Sequence, residues 1–276
     1  MNPRPERWQA LPAGPEGFRL AEGPVWDGPR DRLLWVEIEA GAVHTGRLTA
    51  DGVEPAGSRV YDRTVGAVAV GRAGELLLAG TESLLVVHPD GTVQPGPRVL
   101  PAGAGRRLND GKCDPDGVFL VGSLRFDEQP GGEELFRVGE DRSVTTIDRG
   151  LSLSNGLGWS PDGSLFYSID TTPRRVHVRE PGGEPRVFLE LDVSPDGMCV
   201  DAAGDLWIAI YGGGEVRRYS PAGELTGVVE VGEAAVTCPA FVGPGLDRLL
   251  ITTRPRLFLA EVGAVGQPAN AWAGFE

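Results

Sequence analysis

The sequence predicts an all-β fold, a six-bladed β-propeller whose four-stranded antiparallel blades surround a central metal-containing channel. Three observations predict it. Glycine-containing turns recur at Gly28, Gly74, Gly117, Gly163, Gly204 and Gly245, at intervals of 46, 43, 46, 41 and 41 residues, the period of a repeat with several strands per unit. Each turn leads into an apolar and aromatic run such as Leu33-Leu34-Trp35-Val36 or Leu206-Trp207-Ile208. No segment sustains the apolar period of a helix.

Taken in order, the first unit runs from Ala21-Glu22-Gly23-Pro24-Val25-Trp26 through the Gly28 turn to Leu33–Val36 and Val43-His44-Thr45. The second carries Leu76-Leu77-Leu78 and Val87-His88-Pro89, and the third Arg107-Leu108-Asn109-Asp110-Gly111-Lys112 before Gly117. Leu153-Ser154-Asn155-Gly156-Leu157 opens the fourth, which continues to Val176-His177-Val178. The fifth is the clearest, with Met198-Cys199-Val200, Leu206–Ile210, Val216–Tyr219 and Thr226–Val229 separated by Gly- and Pro-containing loops, the pattern of strands and hairpins. The sixth is abbreviated, Thr252-Thr253-Arg254-Pro255-Arg256 passing directly to Leu257-Phe258-Leu259. One domain, 1–276, is expected, with 1–17 as an N-terminal extension and the ring closed by Phe18-Arg19-Leu20 pairing with the last unit. Trp26, Trp35, Trp159 and Trp207 are expected in the core between blades.

Composition sets bounds. Hydrophobic residues at 41% supply a sizeable core, and 41 Gly and 23 Pro fit a chain dense in turns. A net charge of −13 argues against nucleic acid or an anionic membrane as partner, because both need a basic face. The start lacks the apolar core of a signal peptide, and no run approaches a membrane span. Cys113, Cys199 and Cys238 form no CxxC pair, which favours reduced, buried thiols and a cytoplasmic protein. Nothing in the sequence indicates an oligomeric state.

Counting back eight residues from Gly117, Gly163 and Gly204 gives Asn109, Asn155 and Asp196, and Glu22 holds the same phase in the first unit. Equivalent positions on the inner strands of a propeller converge on its axis. Two carboxylates and two carboxamides offer only oxygen, the donor set of hard divalent cations. Asn-Gly and Asp-Gly are also common turn formers, but here each precedes a turn that has its own glycine. Gly66 and Thr237 occupy the phase in the other two units, leaving the site asymmetric, with room for water and substrate. No Gly-x-Ser-x-Gly elbow is present, and His44, His88 and His177 fall at similar points of outer strands, where structural roles are expected.

The strings around Glu22, Arg107–Lys112, Ser154–Leu157 and Pro195–Cys199 resemble the SMP-30/gluconolactonase/regucalcin family, in its order and approximate spacing, from about Phe18 to Thr253. The resemblance implies a six-bladed propeller with one catalytic divalent metal, Ca²⁺ first, with Zn²⁺, Mn²⁺ or Mg²⁺ as alternatives, and hydrolysis of sugar lactones. It implies Glu22, Asn155 and Asp196 as metal ligands, Asp196 as general acid/base, and Arg107 and Asn109 as substrate contacts. The family's acidic substrate-binding residue falls in register with Asp127, with Glu128 beside it, in a shortened loop. Gly158 stands where some relatives carry an acid. For Arg107 the alternative is a surface salt bridge with Asp110. Other readings are hydrolysis of other lactones or phosphotriesters on the same site, and a non-catalytic metal-binding or interaction propeller.

Overall fold

Strands of four to eight residues, separated by turns rich in Gly, Pro and Asp, build six antiparallel blades arranged as a ring, a six-bladed β-propeller. The computed structural model describes residues 4–127 and 129–276. The innermost strands are Ala21–Asp27, Ala67–Val70, Arg106–Cys113, Ser154–Trp159, Ser194–Val200 and Val236–Val242, and each touches the next around the axis.

The core is divided as the repeat demands, into six apolar clusters, one between each pair of neighbouring blades. Trp35 and Trp207 are fully buried in two of them, and Trp26 and Trp159 lie in two as well. Removing so large a buried side chain typically costs about 3–5 kcal/mol. His44 stacks on Trp35 with ring centroids 5.3 Å apart and places Nε2 3.0 Å from Glu37 Oε2, a packing role.

Four of the six periodic glycines, Gly74, Gly117, Gly163 and Gly204, adopt the left-handed conformation, with φ between 70° and 103°. At the first and last turns that conformation falls instead on Asp31 and Leu246, each at φ 49°. The turn carboxylates are structural. Asp201 accepts from Ala203 N at 2.9 Å, Asp205 N at 3.0 Å and Trp207 Nε1 at 2.9 Å, tying its turn to the core.

Ring closure differs from the expectation. The strand that completes blade six is Leu11–Glu16, antiparallel to Arg256–Glu261 with Leu11 opposite Leu259 and Glu16 opposite Arg256. Phe18 lies outside that ladder, its N donating to Pro255 O at 3.3 Å while its ring packs edge-on against Trp35 and His44. Blade six looks abbreviated in sequence because its fourth strand comes from the other end of the chain. Glu6–Gln9 goes further and adds a fifth, parallel strand to blade five, so residues 6–16 belong to the sheets.

The C-terminal segment, without repeat or period, straps one end of the channel. Gln267 Nε2 donates to the carbonyls of Trp159, Val200 and Asp201, each at 3.2 Å, Asn270 Nδ2 donates to Cys113 O at 3.0 Å, and Trp272 N donates to Val70 O at 2.9 Å. The strap therefore spans blades five to two. Above it lies a chamber of about 230 Å³ with largely apolar walls, lined by Val68, Trp159, Val200 and Phe241 among others. Cys113, Cys199 and Cys238 also line it as free thiols. Among the described residues, no helix is long and apolar enough to cross a membrane.

Candidate metal centre

Five of the six inner strands carry an irregularity at the same height. Register against the second strand slips between Glu22 and Val25, Leu108 and Gly111, Asn155 and Leu157, Pro195 and Met198, and Val236 and Cys238. Ala67–Val70 pairs regularly. A bulge sets an extra residue against its partner strand and re-aims a side chain. Glu22, Asn109, Asn155 and Asp196 all sit at these bulges, which is the structural content of their shared phase.

Of the three glycines that follow them directly, Gly156 and Gly197 serve the neighbouring blade, while Gly23 serves its own turn. A Cβ on Gly156 would lie 2.7 Å from Asp196 O and 2.8 Å from Met198 N, and one on Gly197 would lie 2.6 Å from Cys238 Sγ. Glycine lets successive inner strands close to that distance. Only Gly23 of the three has positive φ, at 51°.

The bulges bring the side chains together. Arg107 Nη1 donates to Asn109 Oδ1 at 2.6 Å and to Leu108 O at 3.1 Å. Asn109 Nδ2 donates to Ser154 O at 2.9 Å and to Asn155 Oδ1 at 3.5 Å. Asn155 Nδ2 donates to Asp196 Oδ1 and, at 3.2 Å, to Thr171 Oγ1. Thr171 in turn donates to Pro195 O at 2.8 Å. A polar chain thus runs across blades three, four and five. Glu22 enters from blade one and accepts from Gly23 N at 2.7 Å. Arg107 is 7% exposed and bonded to Asn109, so the surface pairing with Asp110 is not what forms.

Burial and like charge outweigh the Arg107 guanidinium here. Burial, then repulsion from Asp196 and Asp110, holds the Glu22 carboxyl well above its usual range. Burial, then Asp110, pushes Asp196 up to about 8. Asp110 is itself raised by burial, and burial lowers Arg107 to about 10. Buried carboxylates that repel one another call for a countercharge. The nearby guanidinium is turned to Asn109, so a hard cation fits the oxygen set of Glu22, Asp196 and the Asn155 carboxamide. Among the described residues no group of three His, Cys, Asp or Glu side chains closes on one point. A third protein donor would have to be another kind of oxygen, such as the Asn155 amide.

The remaining residues of the pattern lie elsewhere or act otherwise. Asp127 is exposed on the loop after Phe119–Arg125, held in a fork by Arg125 at 2.8 and 2.6 Å, which keeps its carboxyl down at about 2. It makes no hydrogen bond to the buried chain, and Glu128 lies outside the described residues. Next to it, Phe126 lies under the Arg63 guanidinium at 4.5 Å. Gly66 does not leave space: a Cβ there would meet Asn109 O at 2.5 Å, so blade three fills the position. Thr237 Oγ1 is turned to Ala21 O at 2.7 Å and Thr252 Oγ1 at 2.8 Å, joining blade six to blade one. Sequence reasoning missed Thr171, which orients Asn155, and Asp170, which accepts from Ser152 N at 3.1 Å and Leu153 N at 3.0 Å ahead of Asn155. It took Asp110 only as a surface partner for Arg107, not as the buried acid it is.

A ring of six blades with converging acids and amides at the inner bulges defines a propeller with an oxygen-rich axial site. Residues 20–254 match the model of the family described as SMP-30/Gluconolactonase/LRE-like region, and the chain belongs to that family. The pentonolactonase XacC of Haloferax volcanii is 34% identical over 85% of this chain and 81% of its own. The L-arabinolactonase of Azospirillum brasilense is 33% identical over 85% and 80%. A crystal structure described as a calcium-binding protein, regucalcin, from Agrobacterium tumefaciens superposes with a TM-score of 0.88 at 23% identity, covering 98% of this chain and 99% of that one, a likeness of fold.

Proposed function

We propose that this protein is a divalent-cation-dependent hydrolase that opens the ester ring of sugar lactones, giving aldonic acids. The observation that carries the reading is the pair of buried, mutually repelling carboxylates Glu22 and Asp196, of which Asp196 ends a chain of hydrogen bonds through Asn155 and Asn109 to Arg107. Relatives named as lactonases of five-carbon sugars support the substrate class, and a fold relative described as calcium-binding supports Ca²⁺ as the cation.

Glu22, Asn155 and Asp196 would hold the cation, which when bound supplies Lewis-acid polarisation of the lactone carbonyl. Asp196 takes a proton from the attacking water and returns it to the ring oxygen as the acyl–oxygen bond breaks. Arg107 and Asn109 present N–H donors to substrate oxygens, the guanidinium as a planar fork. Asp127, on the exposed loop after Phe119–Arg125, would contact the distal hydroxyls of a sugar. Three free thiols favour a reducing compartment, the cytoplasm.

Replacing Asp196 by Asn tests this assignment. Lactone hydrolysis should fall by about 10²–10⁴-fold, with the β-sheet circular dichroism unchanged. A folded variant of undiminished rate would remove Asp196 from the chemistry.

A further inference from the structure

Beneath the site the channel holds a carboxylate that the proposed reaction does not use. Asn109 and Asp110 are consecutive residues of one bulge, and they serve opposite sides of it. Asn109 joins the hydrogen-bonded chain, while Asp110 lines the chamber over the C-terminal strap, where Glu22, Asn155 and Asp196 do not reach. Asp110 is 5% exposed, and among the described residues its Oδ2 has no hydrogen-bond partner. Of the two cations nearest in sequence, Lys112 acts on Asp110 through its charge, but both spend their hydrogen bonds elsewhere. Lys112 Nζ donates to Met198 O at 2.9 Å and Arg107 Nη1 to Asn109 Oδ1 at 2.6 Å.

An unpaired buried carboxylate is costly unless its field is used. Here the acids nearest in the field are Glu22 and Asp196, both of the same sign. A divalent ion held by those two is the charge that turns the arrangement from mutual repulsion into attraction. We infer that Asp110 is a positioning residue for the cation, a third carboxylate that raises the channel's divalent affinity by charge from the strap side without ligating it. This rests on the metal reading above and adds a residue to it. Removing groups that support a metal site without ligating it typically weakens metal binding about 10–100-fold.

The test is Ca²⁺ titration by calorimetry, together with thermal melts in EDTA at pH 8, for the wild type, Asp110→Asn and Asp196→Asn. Asp110→Asn keeps the shape and removes the charge. It should bind Ca²⁺ about 10–100-fold more weakly than the wild type and, freed of repulsion, melt higher in EDTA. A carboxyl with a merely structural role would leave the affinity unchanged and lower the melt. Equal Ca²⁺ affinity, or a lower melt in EDTA, overturns the assignment of Asp110 alone. Absence of Ca²⁺ binding by the wild type overturns the metal reading and this inference with it.

Discussion

Asn155 presents its nitrogen, not its oxygen, to Asp196: Nδ2 donates to Asp196 Oδ1 across the boundary of blades four and five, while Oδ1 accepts from Asn109 Nδ2. A cation held by both residues needs the amide oxygen on that side. Saturation with Ca²⁺ should therefore turn the amide over and shift the Asn155 side-chain NH₂ resonances. Unmoved resonances at saturating Ca²⁺ would take Asn155 out of the ligand set.

Acid groups at the site set a pH dependence of stability. The folded-state pKa values of Glu22, Asp110 and Asp196 lie above their ordinary values, with Asp196 at about 8. Groups raised on folding contribute stability that is complete below their unfolded pKa, near 4. That contribution is lost as pH rises toward the folded value. In EDTA the melting temperature should therefore fall between pH 5 and pH 8 through these groups. Millimolar Ca²⁺ should flatten or reverse the trend by replacing protons at the same oxygens. A metal-free protein whose melt rises steadily to pH 8 would contradict the buried-acid account.

Close approach of the inner strands makes its own prediction. Gly197→Ala places a methyl 2.6 Å from Cys238 Sγ and 2.8 Å from Thr237 O, an overpacking expected to cost about 1–3 kcal/mol. Gly57→Ala meets only Thr45 Oγ1 at 3.4 Å and should be neutral or slightly stabilising. Equal denaturation midpoints for the two variants would show that the strands have room to spare.

Removing residues 1–17 takes the outer strand from blade six and the parallel strand from blade five. Leu257 and Leu259 would lose the cover of Ala13 and its neighbours. The melting temperature should fall by about 10 °C or more, since each kcal/mol is worth about 2–4 °C in a chain of this size. An unchanged melt would mean that Leu11–Glu16 does not close the ring.

The blades were legible in the sequence because their punctuation repeats, and the axial residues because a bulge at a fixed height imposes a fixed phase. Other features carry no such periodic mark. Leu11-Pro12-Ala13-Gly14-Pro15-Glu16 does not look like a strand, since its prolines are tolerated only on an edge, which is where it lies. The strap through Gln267, Asn270 and Trp272 works by single hydrogen bonds to backbone carbonyls, which leave no pattern. Gly66 reads as an opening in the ligand phase, yet the position is filled by the backbone of Asn109. Asp127 holds the family register, but its exposed fork with Arg125 could not be read from spacing.

The most direct measurement is the initial rate of proton release on a panel of five- and six-membered aldonolactones, before chelation, in EDTA, and after Ca²⁺ is restored. The account predicts hydrolysis of at least one aldonolactone, loss in EDTA and recovery with Ca²⁺. Turnover untouched by chelation, or no turnover of any lactone by the Ca²⁺-loaded protein, would contradict it.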